Sequence, residues 1–299
     1  KFIDNSVIAI SSSQFASVVL TFIAAIFFLR NYLTKALSLR LVKRSLKFSL
    51  PMVPARIGSF TVTYANRFFL ISLLSLSAIG IYSLSLKFAS SVQIVYTAFI
   101  MAWPPFLFSN VKKENSKDIF KNILPLIACP VFLIVCGLTI FSTELVKYFS
   151  TPIYAESSKY IGGLSLFFCL LIFKEVVDIG PKVKEKTKFI TYSFFVSVIV
   201  NIVSLLMLTR YLGIQGVVLS MILTNTCLLI MSWIISNKLF YIPFNVVQFV
   251  FYALPAYFIC CFFLFYSVGL HYRLLILFCL FVFYGWNFWK CFRNSAQLI

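Results

Sequence analysis

Residues 122–142 read NILPLIACPVFLIVCGLTIFS, twenty-one residues without a charge. As a helix rising 1.5 Å per residue this stretch is about 30 Å long, which is the thickness of a bilayer's hydrocarbon core. A water-facing helix of that length carries charges along one face; this one carries none. The same pattern recurs on both sides of it. Apolar spans are read at 6–29, 48–76, 79–108, 122–142, 159–180, 189–209, 214–236, 245–268 and 271–290. They predict an all-α, polytopic membrane helix bundle of about nine transmembrane helices joined by short loops.

Composition agrees. Of 299 residues, 61% are hydrophobic and only 11% charged, less than half the charged fraction with which a soluble domain covers its surface. A soluble enzyme is excluded. The net charge of +18 raises the question of nucleic acid, but the cations cluster in short loops rather than along one exposed face, so no nucleic-acid partner is expected. Cys129, Cys136, Cys169, Cys227, Cys260, Cys261, Cys279 and Cys291 fall within or at the ends of apolar runs, without a CxxC pair, and read as small buried hydrophobes. One histidine and no clustered ligands give no metal site, and no cofactor is expected.

The cations orient the spans. Arg30, Lys35, Arg40, Lys43, Arg44, Lys47, Lys112, Lys113, Lys117, Lys121, Lys182, Lys184, Lys186, Lys188, Lys238, Lys290 and Arg293 fall on one side. Lys1, Lys147, Lys159, Arg210 and Arg273 fall on the other. The first side is therefore read as cytoplasmic, with the C-terminus on it. Trp103, Trp233, Trp286 and Trp289 lie near inner span ends and read as interfacial anchors. The chain opens on Lys1, and an odd number of spans starting outside reads as a fragment of a longer protein.

Arg56, Arg67, Lys87 and Lys174 lie in neither set of loops. A charge at membrane depth is costly, and such a residue is expected to face a cavity or to snorkel to an interface. Span 48–76 opens with Pro51 and Pro54, then carries Arg56, Ser59, Thr63, Asn66 and Arg67, at offsets of 3, 7, 10 and 11 from Arg56. Those offsets predict one polar helical face. Counted from the outer span ends, Arg67 lies about 13 Å deep and Lys87 about 12 Å deep on the next span, so the two are expected side by side. No carboxylate occurs in either span. Three cations without a local carboxylate suit a phosphate-bearing ligand, although Arg56 is also placed to snorkel and a carboxylate elsewhere could pair with any of them. Lys174, Glu175 and Asp178 read either as an interfacial ion pair, with Lys174 and Asp178 spaced i,i+4, or as carboxylates for a coupling proton or cation. Asn201 and Asn225 read as interhelical hydrogen-bonders, and His271 as an interfacial residue.

The stretch KFSLPMVP at 47–54, NRFFL at 66–70, IGIYSLSLKFA at 79–89 and AWPPF at 102–106 resembles the bacterial polysaccharide (O-antigen) flippase family, within the superfamily of multidrug, oligosaccharidyl-lipid and polysaccharide exporters. The resemblance covers about residues 45–110 and implies two lobes of six helices around a central cavity, sometimes followed by two more helices. On that template residues 1–47 hold the last helix of the first lobe and a cytoplasmic inter-lobe loop. Residues 48–240 form the second lobe and 241–299 two additional helices, about five helices being expected upstream. The implied activity is flipping of an undecaprenyl-diphosphate-linked O-antigen or polysaccharide unit across the bacterial inner membrane by alternating access. Arg56, Arg67, Lys87, Thr63 and Asn66 would bind it, and Glu175 and Asp178 would serve the coupling ion. The family often has an acid just before the arginine, where this chain has Asn66; a proton relay is not expected there, although Asn66 can hydrogen-bond sugar hydroxyls.

Two other classes are open on sequence. A membrane enzyme of surface-polysaccharide assembly, a polymerase or glycosyl-lipid transferase, needs a sizeable outer loop or interfacial carboxylates, and the longest outer loop, 143–158, offers Glu144 and Glu156. A drug or organic-cation exporter would place carboxylates, not arginine and lysine, at membrane depth. A transporter, not an enzyme, is the expectation.

Overall fold

The computed structural model describes residues 2–30, 38–64 and 66–296. Lys1 and Lys35, counted above in the charge assignment, lie outside them. Among the described residues there is helix and no strand. The helices are α1 (Phe2–Leu29), α2 (Leu39–Ser49), α3 (Met52–Tyr64), α4 (Asn66–Leu73), α5 (Leu76–Asn110), α6 (Ser116–Ile140) and α7 (Ser142–Phe149). After a 3₁₀ turn at Pro152–Ser157 come α8 (Ser158–Val177), α9 (Ile179–Val183), α10 (Lys188–Leu212), α11 (Ile214–Leu239), α12 (Val246–Phe265) and α13 (Leu270–Ala296). The chain divides into two compact units, 1–47 and 48–299.

In the described residues eight helices are long and apolar enough to cross a bilayer: α1, α5, α6, α8, α10, α11, α12 and α13. The chain is a multi-pass membrane protein. Span 48–76, expected as one helix, is described as α3 and α4, of 13 and 8 residues, on either side of residue 65, which lies outside the described residues. Asn66 bonds back along this stretch: its side-chain Nδ2 donates to the Val62 carbonyl at 3.2 Å.

The first unit is a 28-residue apolar helix, with Asp4 as its one charge, followed by most of α2. The second unit is built around α8, of whose membrane window 89% is buried. α8 packs on α5, α6, α11 and α12; α10 packs on α3 and α11, and α13 on α6. The last two helices thus belong to the same packed unit as α3–α11. Association in lipid depends on close contact rather than on the hydrophobic effect, and α8 has the small residues for it. Gly163 lies so near α11 that an added Cβ would fall on Val218, and one at Gly162 would meet Thr139 of α6 at 2.6 Å.

Polar groups join the helices where sequence placed them. Asn201 Nδ2 donates to Thr224 Oγ1 at 3.2 Å, and Asn225 Nδ2 to the Phe167 carbonyl at 2.8 Å. Trp286 and Trp289 are exposed, as interfacial anchors should be. Trp103 is not one of them. It is buried, with its ring against Phe99, Phe106 and Phe120, because its position on α5 turns into the bundle rather than toward lipid.

Candidate functional site

Three of the four cations singled out by sequence lie on exposed faces of helices in the second unit. Arg56 on α3, Arg67 on α4 and Lys87 on α5 are exposed, while Ser59 and Thr63 are half-buried. Thr63 returns its hydroxyl proton to the Ser59 carbonyl at 2.9 Å, which leaves its oxygen lone pairs as acceptors. Asn66 departs from this pattern. It is fully buried, and its Nδ2 also donates to Tyr82 Oη at 3.3 Å; Tyr82 in turn donates to Met221 Sδ at 3.2 Å. Adjacent helical positions are about 100° apart, so Asn66 locks α4 to α5 while its neighbour Arg67 points outward. The side chain predicted to meet sugar hydroxyls is a helix-packing residue here.

That hydrogen bond also sets the register of the hairpin. Lys87 lies five residues beyond Tyr82, about 7.5 Å along α5. In this register Arg67 and Lys87 are staggered by more than one helical turn rather than level.

Sequence reasoning missed the continuation of the Lys87 face along α5. Ser90, Gln93 and Thr97 follow Lys87 at offsets of 3, 6 and 10, a helical spacing that could have been read. Ser90 Oγ donates to the Lys87 carbonyl at 2.6 Å. Beyond it lies an open concavity of about 490 Å³, lined by Ser90, Gln93, Ile94, Thr97, Ala98 and Met101. Cations with hydroxyl and amide groups along one side of a membrane helix can bind an anionic, polyhydroxylated ligand through charge-assisted hydrogen bonds.

A second charged cluster is buried. Lys174 Nζ lies 2.9 Å from Asp178 Oδ2 and 3.1 Å from Glu175 Oε1, and Lys182 Nζ lies 2.5 Å from Glu175 Oε2. The expected i,i+4 pair is present at the end of α8, and Lys174 and Asp178, 3% and 1% exposed, are buried in protein. Lys174 Nζ also stands 5.0 Å from the centroid of the Phe194 ring on α10, a cation–π distance. Two lysines balance two carboxylates, and the group closes the end of α8 against α9 and α10. The structure thus brings Glu175 and Asp178 together with each other, but holds each in an ion pair.

At the other end of the bundle Arg273 clamps α13 to α6 and α7. Its guanidinium donates to both Glu144 oxygens, at 3.0 and 2.7 Å, and to the Ile140 carbonyl at 3.0 Å. Glu144, an acid of the segment 143–158 expected as an outer loop, is thereby committed to packing. None of the protein-family models, curated proteins or solved structures compared with this chain matches it.

Proposed function

We propose that the protein is a flippase that moves an undecaprenyl-diphosphate-linked polysaccharide unit across the bacterial inner membrane, its C-terminus on the cytoplasmic side. The observation that carries this reading is the set of exposed polar side chains on α3, α4 and α5. Arg56, Arg67 and Lys87 stand on these helices with Thr63, Ser90, Gln93 and Thr97, in a stretch that has no carboxylate between residues 5 and 113. Such a set is unsuited to lipid tails and suited to a water-lined path for an anionic saccharide. Diphosphate oxygens would engage the three cations, and the half-buried Thr63 and the α5 groups would meet sugar hydroxyls. Glu175 and Asp178 are the coupling candidates in this scheme, because protonating either carboxyl leaves two lysines facing one carboxylate and ties proton uptake to a rearrangement at the end of α8.

The test is transport by the native protein in proteoliposomes carrying a fluorescent polyprenyl-diphosphate oligosaccharide, read as its loss of accessibility to a membrane-impermeant quencher. The double variant R67A/K87A should insert normally and slow transport about a hundredfold, from two charge-assisted contacts at about 1.5 kcal/mol each. Transport at the wild-type rate would reject the assignment of these residues. A chemically altered saccharide would reject the flippase reading in favour of an enzyme.

A further inference from the structure

α2 was expected as loop and is a helix with two chemically opposed sides. Its eleven residues, Leu39–Ser49, contain Arg40, Lys43, Arg44 and Lys47. At about 100° per residue these four fall within an arc of about 100°. Leu39, Leu41, Val42, Leu46 and Phe48, with the small Ser45 and Ser49, occupy the rest of the circumference. None of the eleven is buried; Leu39, Leu41 and Leu46 are 82%, 64% and 55% exposed. Water is a poor neighbour for that apolar side, and a hydrocarbon interior is a poor neighbour for the basic one.

We infer that α2 lies in the headgroup layer of the membrane and binds anionic glycerophospholipid. Three observations select that occupant. Charge comes first: Arg40, Lys43 and Lys47 share one side, and the nearest acids in sequence are Asp4 and Glu114, so the helix is complementary to a surface of phosphates. Position comes second. α2 is joined in sequence to the charge-poor α1 before it and to α3 after it, so it is tethered beside a bilayer. Depth comes third, for the end of α2 from Phe48 onward alone, which belongs to the second unit: Phe48 gives its carbonyl to Thr187 Oγ1 at 2.8 Å, and Thr191 donates to the Pro51 carbonyl. Those partners adjoin the basic run Lys182–Lys188 at the start of α10, which is the end of a membrane span and not its middle. Apolar side chains then enter the acyl boundary while the cations meet phosphates at the rim. The inference needs only the membrane fold and is independent of the cargo proposed above.

The experiment is hydrogen exchange on the full chain in nanodiscs, followed at the amides of 39–49. One lipid set is zwitterionic phosphatidylcholine and the other contains about one third phosphatidylglycerol, each cation being worth about fivefold at an anionic surface. Exchange should be slow in the anionic discs and fast in the zwitterionic ones. The variant R40Q/K43Q/K47Q should lose about a hundredfold of the protection in anionic discs, while the α8 amides keep theirs. Equal protection in both lipids would overturn the inference, since it means that α2 is covered by protein or held by apolar contact alone. So would fast exchange in both, or protection that appears only as discs acquire a second copy of the chain. Should the variant lose the α8 protection, the comparison of the two lipids with wild-type protein decides the matter unaided.

Discussion

Replacing Lys174 by methionine removes a charge but little volume, and it isolates the energetics of the buried cluster. Lys174 serves two carboxylates, at 2.9 and 3.1 Å. Without it Glu175 keeps Lys182 at 2.5 Å, while Asp178, 1% exposed, is left ionised with no cation in contact. Breaking one partner out of a buried pair costs about 3–5 kcal/mol, against about 0–1 kcal/mol for a pair in water. In a folded unit of this size, at about 2–4 °C per kcal/mol, K174M should lower the unfolding midpoint by about 10 °C. K174M/D178L removes both members, leaves the Lys182–Glu175 pair balanced, and should recover most of that loss. The assay is thermal unfolding of detergent-purified protein, read by fluorescence-detected size exclusion, with D178L completing the double-mutant cycle. Equal instability of K174M and the double variant would refute the reasoning, as would a K174M midpoint within about 2 °C of wild type, the value expected of an exposed pair.

Other perturbations follow from single contacts. G163L should abolish well-folded protein in membranes because its side chain collides with Val218, and V218A should restore part of it, scored by the monodisperse peak on size exclusion. N225A removes the hydrogen bond to the Phe167 carbonyl and should cost about 1 kcal/mol, the scale of interhelical polar contacts in lipid, visible as a fall of a few degrees in the same thermal assay. R273A loses the bidentate contact to the partly exposed Glu144 and should cost about 1 kcal/mol as well, with faster hydrogen exchange at the first turns of α13 as its specific signature. Y82F keeps the ring but removes the acceptor for Asn66, and should loosen the α4–α5 hairpin, measured as faster exchange in 66–73 with α8 unchanged.

Much of the fold was legible because membrane helices are written in blocks: residues 122–142 announce a span without any partner being known. Local pairs were legible too, and Lys174–Asp178 follows from i,i+4 spacing alone. What escaped depends on packing. Asn66 and Arg67 belong to one polar stripe on a helical wheel, yet a single hydrogen bond to Tyr82 turns the first inward. Trp103 has the composition of an interfacial anchor and the position of a core residue. The Lys182–Glu175 contact spans seven residues across the junction of α8 and α9, two turns that an unbroken helix would hold about 10 Å apart along its axis. α2 was readable in principle, since its cations repeat at i, i+3, i+4 and i+7, but a run of arginine and lysine between spans reads first as a loop.

The centrality of α8 has a consequence for how the chain is made. Its neighbours α5 and α6 precede it in synthesis, whereas α11 and α12 follow, so for part of translation α8 stands in the membrane half-surrounded. Its ion pairs, however, are confined to residues 174–182 and close without any later helix. The segment therefore carries its own neutralisation into the bilayer, and a chain halted at Lys186 is expected to integrate it, as protease protection would show. Exchanging Asp178 with Ile179 should defeat that integration while leaving the composition of the segment unchanged. Charge balance within α8 is, on this account, a property of the nascent chain before it is one of the folded protein.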